Sequence, residues 1–243
     1  MSKKSVSPNK SNQIYRTVRD DIIHGIYPGG TFITEAALCE QFTVSRTPIR
    51  EALIRLAQDR FVELIPNKGA IVPYVTINDI VEVYQLRMVN DGLAAALVAG
   101  TCTDALLQKL EASVLREEAL LEAGEEPLSI SKEDFVFHDL ILYNCGNRRL
   151  VEILELINNQ MHRFARAASD THALEHLARS VDYHRRVLEA IRARDADAAR
   201  ASLSEHWQVM LNGYISRSLT GALPAQIWTR CICPGADGPG LWP

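Results

Sequence analysis

The chain of 243 residues has no long hydrophobic run, and none of its apolar segments approaches the roughly 18–20 residues of a membrane-spanning helix. The first five residues are polar and lack the apolar core of a secretory signal. The cysteines are odd in number and lack the spacing of a disulfide framework; they are Cys39, Cys102, Cys145, Cys231 and Cys233. The sequence therefore predicts a cytoplasmic protein with no membrane partner.

Positive charge is also scarce, because 30 Asp and Glu outnumber 26 Lys and Arg. A net charge of −4 by itself argues against a nucleic-acid-binding protein. The distribution changes that interpretation: residues 1–75 hold 10 Lys and Arg against 7 Asp and Glu, and the remainder holds 16 against 23. A mildly basic head on an acidic body is typical of a DNA-binding domain joined to a sensor domain.

The hydrophobic pattern divides the chain into two domains, and the fold class it predicts is mainly α. Residues 13–73 predict a winged helix-turn-helix, with three helices followed by a hairpin whose strands are the runs 62–65 and 70–72. Residues 77–218 predict an all-helical bundle of about six helices. Residues 1–12 and 221–243 are expected to be disordered tails.

Capping signals locate the individual helices. Thr34 can cap the second head helix and Ser45 the third, which runs to about Arg60. Thr76 and Asp79 form a capping box that opens a long helix to about residue 99. Further helices are predicted at 103–123, 129–144, 147–168, 174–194 and 196–218, and Ser129 or Ser131 is expected to open the second of these.

The run Val44–Leu53 has the pattern of the turn and recognition helix of a helix-turn-helix. Arg46 and Arg50 lie four residues apart, so they share one face near the helix N-terminus, the end that enters the major groove. Each guanidinium can bind guanine or a phosphate through two parallel hydrogen bonds. The alternative is a solvated basic face, with Glu51 as a possible ion-pair partner.

Phosphate contacts are expected on either side of these arginines. Ser45 and Thr47 carry hydroxyls in the first turn of the recognition helix, where free backbone N–H groups also suit a phosphate. Lys68 and Gly69 lie at the predicted wing tip, from which they would reach the DNA backbone or the minor groove.

Four residues of the second domain suggest a metal site. Asp134 and His138 are spaced i,i+4 on a predicted inward face, and His184 and His206 also lie on apolar stripes. A buried carboxylate needs a partner, and one oxygen with three imidazoles suits Zn²⁺, Ni²⁺, Mn²⁺ or Co²⁺. The alternatives are a local Asp–His pair and histidines satisfied separately within the core.

The run Ser45–Leu53, followed by Leu56, Val62 and Gly69-Ala70-x-Val72, closely resembles the head of GntR-family transcription regulators. The resemblance covers about residues 14–73. It implies a homodimer that binds a short palindrome in double-stranded DNA, most often as a repressor, with Arg46 and Arg50 as the main DNA contacts. Ala36 departs from the family, since many members carry a polar residue after the equivalent of Glu35.

Residues 77–215 resemble the FCD ligand-binding domain of the FadR-type branch, through Asp134-x-x-x-His138, Asn144-x-x-Asn147, His184 and His206. The resemblance implies that these Asp and His residues hold a metal, and that a small organic acid completes its coordination. Arg87 matches a family arginine that faces the cavity and would pair with the effector carboxylate, unless it forms a salt bridge at the surface or the dimer interface. Asn90 and Arg163 are further effector-binding candidates.

Two other functions are compatible with the same residues. In the first, the DNA-binding head is kept, but the metal is structural or is itself the signal, with no organic effector. In the second, the Asp and His residues form a metalloenzyme site with an open position for water. The chain lacks His-Glu-x-x-His, and no obvious general base adjoins the metal motif. The sequence therefore predicts a regulator and not an enzyme.

Overall fold

The structure, a computed structural model, describes residues 8–167, 173–219 and 227–228. The head contains three helices and a three-stranded sheet: α1 (Pro8–Ile23), β1 (Phe32–Thr34), α2 (Glu35–Phe42), α3 (Arg46–Gln58), β2 (Glu63–Ile65) and β3 (Gly69–Ile71). The body contains β4 (Val75–Thr76), α4 (Ile77–Thr101), α5 (Asp104–Glu122), α6 (Pro127–Asn144), α7 (Arg148–Ala167), α8 (Ala173–Arg192), α9 (Ala196–Leu219) and β5 (Ile227–Trp228). The mainly α fold class, a winged helix-turn-helix followed by a helical bundle, is confirmed.

Local capping explains the helix-turn-helix. The hydroxyl of Thr34 accepts a hydrogen bond from the Ala37 amide at 3.1 Å, which confirms the predicted cap of α2. Thr43 adopts a left-handed conformation (φ +52°) that ends α2 and turns the chain toward α3. Ser45 occupies the predicted N-cap position of α3, although its side chain makes no capping hydrogen bond.

The wing is a three-stranded antiparallel sheet in the order β1-β3-β2, whereas the sequence predicted only the β2–β3 hairpin. The additional strand brings Ile33 opposite Ala70. Gly69 has a φ of +141°, and a Cβ there would lie 2.1 Å from the carbonyl oxygen of Ile33. Any side chain at this position would therefore separate β1 from β3, which explains the glycine at the start of β3.

The structure shortens both predicted tails. Residues 8–12 belong to α1, and the side chain of Asn12 accepts a hydrogen bond from Arg55 at 2.7 Å, so the expected disorder there is wrong. In the C-terminal segment, β5 pairs in parallel with β4, so residues 227 and 228 are also ordered. The remaining predicted tail residues, 1–7, 221–226 and 229–243, lie outside the described residues.

Six body helices occur close to the predicted positions. The capping box of α4 is confirmed, because the Asp79 amide donates to the Thr76 hydroxyl at 3.2 Å and the Thr76 amide donates to the Asp79 carboxylate at 2.8 Å. The start of α6 was predicted wrongly: it begins at Pro127 and not at Ser129 or Ser131, because proline suits the first turn, where its missing N–H costs nothing. None of the described helices is long and apolar enough to cross a membrane.

The body core lies between α4 and the helices packed around it. Helix α4 crosses α9 closely at Gly92, where a Cβ would lie 2.4 Å from the Ser204 hydroxyl. A second apolar cluster, which includes Tyr84, Phe164 and Trp207, fills the end of the bundle next to the head. Helices α5, α6, α8 and α9 thus present their inner faces to a common interior beside α4.

Candidate functional site

One face of the head gathers the first turn of α3, the start of α2 and the wing tip. The exposed α3 side chains predicted to contact DNA are Ser45, Arg46, Thr47 and Arg50. The amide of Glu35 donates to the carbonyl of Lys68 at 3.4 Å, which holds the wing tip against the start of α2. Lys68 is exposed there, whereas Gly69 is buried beneath it. The structure thus brings the predicted DNA-contact residues to one side of the head.

The sequence did not reveal Glu35 as part of this face. Its carboxylate accepts a hydrogen bond from Nε of Arg50 at 2.8 Å, so the ion-pair partner of Arg50 is Glu35 and not Glu51. The Arg50 guanidinium lowers the pKa of Glu35, which keeps the pair ionised. The bond uses Nε and leaves both terminal nitrogens of Arg50 as donors for a base or phosphate.

The four predicted metal ligands lie in the interior of the bundle as two overlapping groups: the three histidines form one, and Asp134 forms the other with His184 and Glu117. Asp134 and His138 come from α6, His184 from α8 and His206 from α9. Nε2 of His138 and Nε2 of His184 are 3.2 Å apart, and each lies 4.0 Å or less from a carboxylate oxygen of Asp134. The His206 ring centre is 5.1 Å from the ring centres of both other histidines.

Two further buried carboxylates face the outer nitrogens of these histidines. Glu117 of α5 is fully buried and lies 2.9 Å from Nδ1 of His184. Asp91 of α4 lies 3.8 Å from Nδ1 of His138. A histidine whose Nδ1–H donates to a carboxylate presents the lone pair of Nε2 to a metal, and such pairs commonly orient metal ligands. Neither carboxylate was predicted, although Glu117 continues the buried stripe of Leu110 and Val114 along α5.

Burial dominates the electrostatics of the site. It lowers the pKa of His184 to about 4 and the pKa values of His138 and His206 well below 6.5, because a charged imidazole is poorly solvated there. The pKa of Asp134 rises to about 6, and that of Glu117 to about 9, for the same reason. At neutral pH the imidazoles are therefore uncharged, which is the form that binds a metal ion.

The donor set fits a divalent metal. Two nitrogens bound at about 2.0–2.1 Å in tetrahedral geometry are about 3.3 Å apart, close to the 3.2 Å between the two Nε2 atoms. A hydrogen bond between His138 and His184 would explain that distance without a metal. It would not explain why the polar ring of His206 is buried beside them. Among the described residues, neither ring nitrogen of the buried His206 has a hydrogen-bond partner, and neither does Nδ1 of His138.

Arg87 lies next to this site but is already paired within the chain. It is 2% exposed, donates to Asp91 at 2.9 Å and to Asn158, and stacks over Trp207 at 4.5 Å. The alternative of a surface salt bridge is therefore wrong. An effector carboxylate would reach Arg87 only by sharing its guanidinium with Asp91.

The other two effector candidates lie elsewhere. The Asn90 amide donates to the Leu86 carbonyl of its own helix at 2.7 Å, and the side chain is only partly buried. Arg163 is buried, but it lies between the head and the body, where it donates to the carbonyls of Arg60 and Pro73. The structure thus contradicts the placement of Arg163 in an effector pocket beside the histidines.

Comparison with known protein families agrees with this division of the chain. A model described as "Bacterial regulatory proteins, gntR family" matches residues 10–72, and the FCD domain model matches residues 82–209. The second match contains all four predicted metal ligands. The gap between the two matched segments, residues 73–81, contains the linker and the start of α4.

Relatives with curated names are similar over most of their length. The HTH-type transcriptional regulator YdhC of Bacillus subtilis is 30% identical over 80% of this chain and 86% of its own. The HTH-type transcriptional repressor RspR of Escherichia coli K12 is 26% identical over 82% and 86%. Among solved structures, E. coli McbR/YncC has the same fold, with a TM-score of 0.68 and 23% identity over 86% of this chain and 100% of that one.

Proposed function

Because the chain belongs to the gntR family of bacterial regulatory proteins and carries an FCD domain, we propose that it is a cytoplasmic repressor whose operator binding is controlled by a metal and a small carboxylate. The family and the relatives make the chain a DNA-binding transcription regulator and not an enzyme. The names of two relatives, RspR and the gluconate operon repressor of Bacillus licheniformis, support repression. The observation that carries metal control is the buried, unpaired His206 beside three other potential ligands.

Asp134, His138, His184 and His206 would hold the ion, which is Zn²⁺, Ni²⁺, Mn²⁺ or Co²⁺ on the chemistry of these donors. The bound ion supplies positive charge that attracts a carboxylate into the bundle. Glu117 would orient His184 from outside through its contact of 2.9 Å with Nδ1, whereas Asp91 is too far from Nδ1 of His138 for a hydrogen bond. Arg87 adds a second cation beside the site, already paired with Asp91. These charges favour a small organic acid as effector.

Metal and effector are tested together by measuring operator affinity. An operator is first selected from random DNA with the full chain, and the affinity is then measured after chelation, with Zn²⁺ or Ni²⁺, and with metal plus small carboxylates. We expect at least one carboxylate to change the affinity by about 5- to 150-fold, but only with metal present. An equal response to metal alone would support the alternative of a directly sensed metal. A response to neither would contradict metal control.

Each chain would pair with a second copy, because a palindrome presents two half-sites one helical turn apart. We assign the dimer contact to an exposed apolar surface formed by the neighbouring helices α4 and α7, called the α4–α7 surface. It consists of Leu86, Val89, Leu93, Ile153 and Leu156, and Val89 is 72% exposed. A patch of this kind is expected to be covered by a partner.

Val89→Glu is expected to convert the dimer to a monomer, because the new carboxylate would be buried without a partner in the dimer. Sedimentation velocity measures the change, and operator affinity should fall at least about tenfold, because the monomer occupies a single half-site. The matched control is Leu115→Glu on α5, where the leucine is 58% exposed and lies outside the α4–α7 surface. Dimerisation by both variants would place the dimer contact elsewhere.

A further inference from the structure

The C-terminal end of the recognition helix α3 is held by helix α7 of the body. After Gln58 the chain turns through Arg60 in the left-handed conformation (φ +59°), with the Phe61 amide donating to the Leu56 carbonyl at 2.8 Å. This turn points two carbonyls away from α3. The Asp59 carbonyl accepts from the Gln160 side chain at 2.8 Å, and the Arg60 carbonyl accepts from Arg163 at 3.0 Å.

Arg163 joins three parts of the chain at this point. Its second terminal nitrogen donates to the Pro73 carbonyl at 2.8 Å, so one guanidinium bridges the end of α3 and the linker. The residue is only 8% exposed; its guanidinium binds these two carbonyls, and the negative charge of Asp79 also favours its charged form. A buried cation needs hydrogen-bond acceptors of this kind, and the negative end of the α3 dipole also stabilises its charge. Burial lowers the pKa of Arg163 to about 10, which leaves it charged at neutral pH.

The same stretch of α7 reaches the candidate metal site. Asn158, two residues before Gln160, accepts a hydrogen bond from Arg87 and donates to Asp139 at 3.2 Å. Arg87 in turn binds Asp91, which faces Nδ1 of His138. About one helical turn of α7 therefore separates Asn158, which binds Arg87, from Gln160 and Arg163, which bind the end of α3.

We infer that Gln160 and Arg163 are positioning residues for DNA binding, which fix the recognition helix to α7 and carry changes at Arg87 to it. The second half of this inference rests on the proposed control by metal and carboxylate. When a carboxylate shares Arg87 with Asp91 and displaces Asn158 from the guanidinium, α7 shifts at that turn. Because a helix is stiff over one turn, Gln160 and Arg163 move with Asn158. The end of α3 then moves relative to the body and to the head of the second copy.

Packing at the junction supports a mechanical role for these few hydrogen bonds. A cleft of about 250 Å³ opens beside Arg163, between α3, the linker and α7, and its lining includes Ala57, Tyr74 and Phe164. Apolar packing is incomplete there, so the polar contacts of Gln160 and Arg163 contribute more to the head position than they would in a filled core. A junction of this kind can shift without breaking a core.

The positioning role is tested by Arg163→Met in the full chain, which keeps an apolar stem of similar length but removes both hydrogen bonds. Amide hydrogen exchange should become about tenfold faster at residues 58–61, the order expected when the hydrogen bonds to the Arg60 carbonyl at the helix end and to the Pro73 carbonyl of the linker are both lost. The matched control is Arg148→Met, on the same helix, where the arginine side chain is 78% exposed. Wild-type exchange rates at 58–61 in Arg163→Met would overturn the inference.

The transmission role is tested by the operator response of Arg163→Met and Gln160→Leu. Both variants should keep the wild-type metal content, but the change in operator affinity caused by metal and carboxylate should fall to less than about twofold. Full response in both variants would overturn transmission through α7. If wild type itself shows no response, the proposed control fails, and the exchange measurement still decides whether Arg163 positions α3.

Discussion

Replacing Arg46 and Arg50 together by alanine should reduce specific operator affinity by about a thousandfold, the largest effect expected for any change in the head. Both side chains are exposed at the start of α3, and Arg50 keeps its two terminal nitrogens available while Glu35 holds Nε. A guanidinium that reads guanine through two hydrogen bonds contributes about 1–3 kcal/mol to discrimination. Fluorescence anisotropy with the operator and a scrambled duplex, each over a range of salt concentrations, measures the loss.

Arg55→Ala is the matched control for this experiment. Arg55 also lies on α3, but its guanidinium stacks 4.0 Å from the Tyr15 ring and binds Asn12, away from the face that holds Arg46. The control removes the same charge, so it should change operator and scrambled affinities equally and by only a few fold. If the double variant also loses both affinities equally, the two arginines contact only phosphates and do not read bases.

The sequence predicted the head because its elements carry strong local signals. Thr34 and the Ser45–Arg50 run each act within a few residues of the chain, and α2, α3 and the β2–β3 hairpin formed where expected. Strand β1 was missed because, unlike β2 and β3, it is not joined to its partner by a tight turn that the sequence shows. Its pairing depends on β3, which lies more than 30 residues away in the chain.

The body shows what a helical period can and cannot predict. The helical spacing of the apolar residues was sufficient to predict that Asp134, His138, His184 and His206 face the interior. The structure places them there in two overlapping groups. The same reasoning failed for Arg163, because a helix face does not reveal which neighbour lies across it. For Arg163 that neighbour is the end of α3. Glu117 was detectable as a charge on an apolar stripe, but its partner His184 lies 67 residues away.

His206→Phe should abolish metal-dependent stabilisation without destabilising the metal-free protein. Both nitrogens of His206 are buried and unpaired, so an apolar ring of similar shape removes unsatisfied polar groups at little cost. Loss of one ligand should weaken metal affinity by about 100- to 1,000-fold, judging from the total free energy of four-ligand sites. Thermal unfolding after chelation and with added Zn²⁺ or Ni²⁺, together with metal content, measures both effects.

Two further variants define the site around His206. Glu117→Gln should weaken metal affinity by about 10- to 100-fold, less than the loss of a ligand, because it only orients His184. His24→Ala removes an exposed histidine at the end of α1 and should leave both metal content and the melting temperature with metal unchanged. If His206→Phe instead keeps one ion per chain at wild-type affinity, His206 is not a ligand. Its unpaired nitrogens would then mark the place where the effector itself binds.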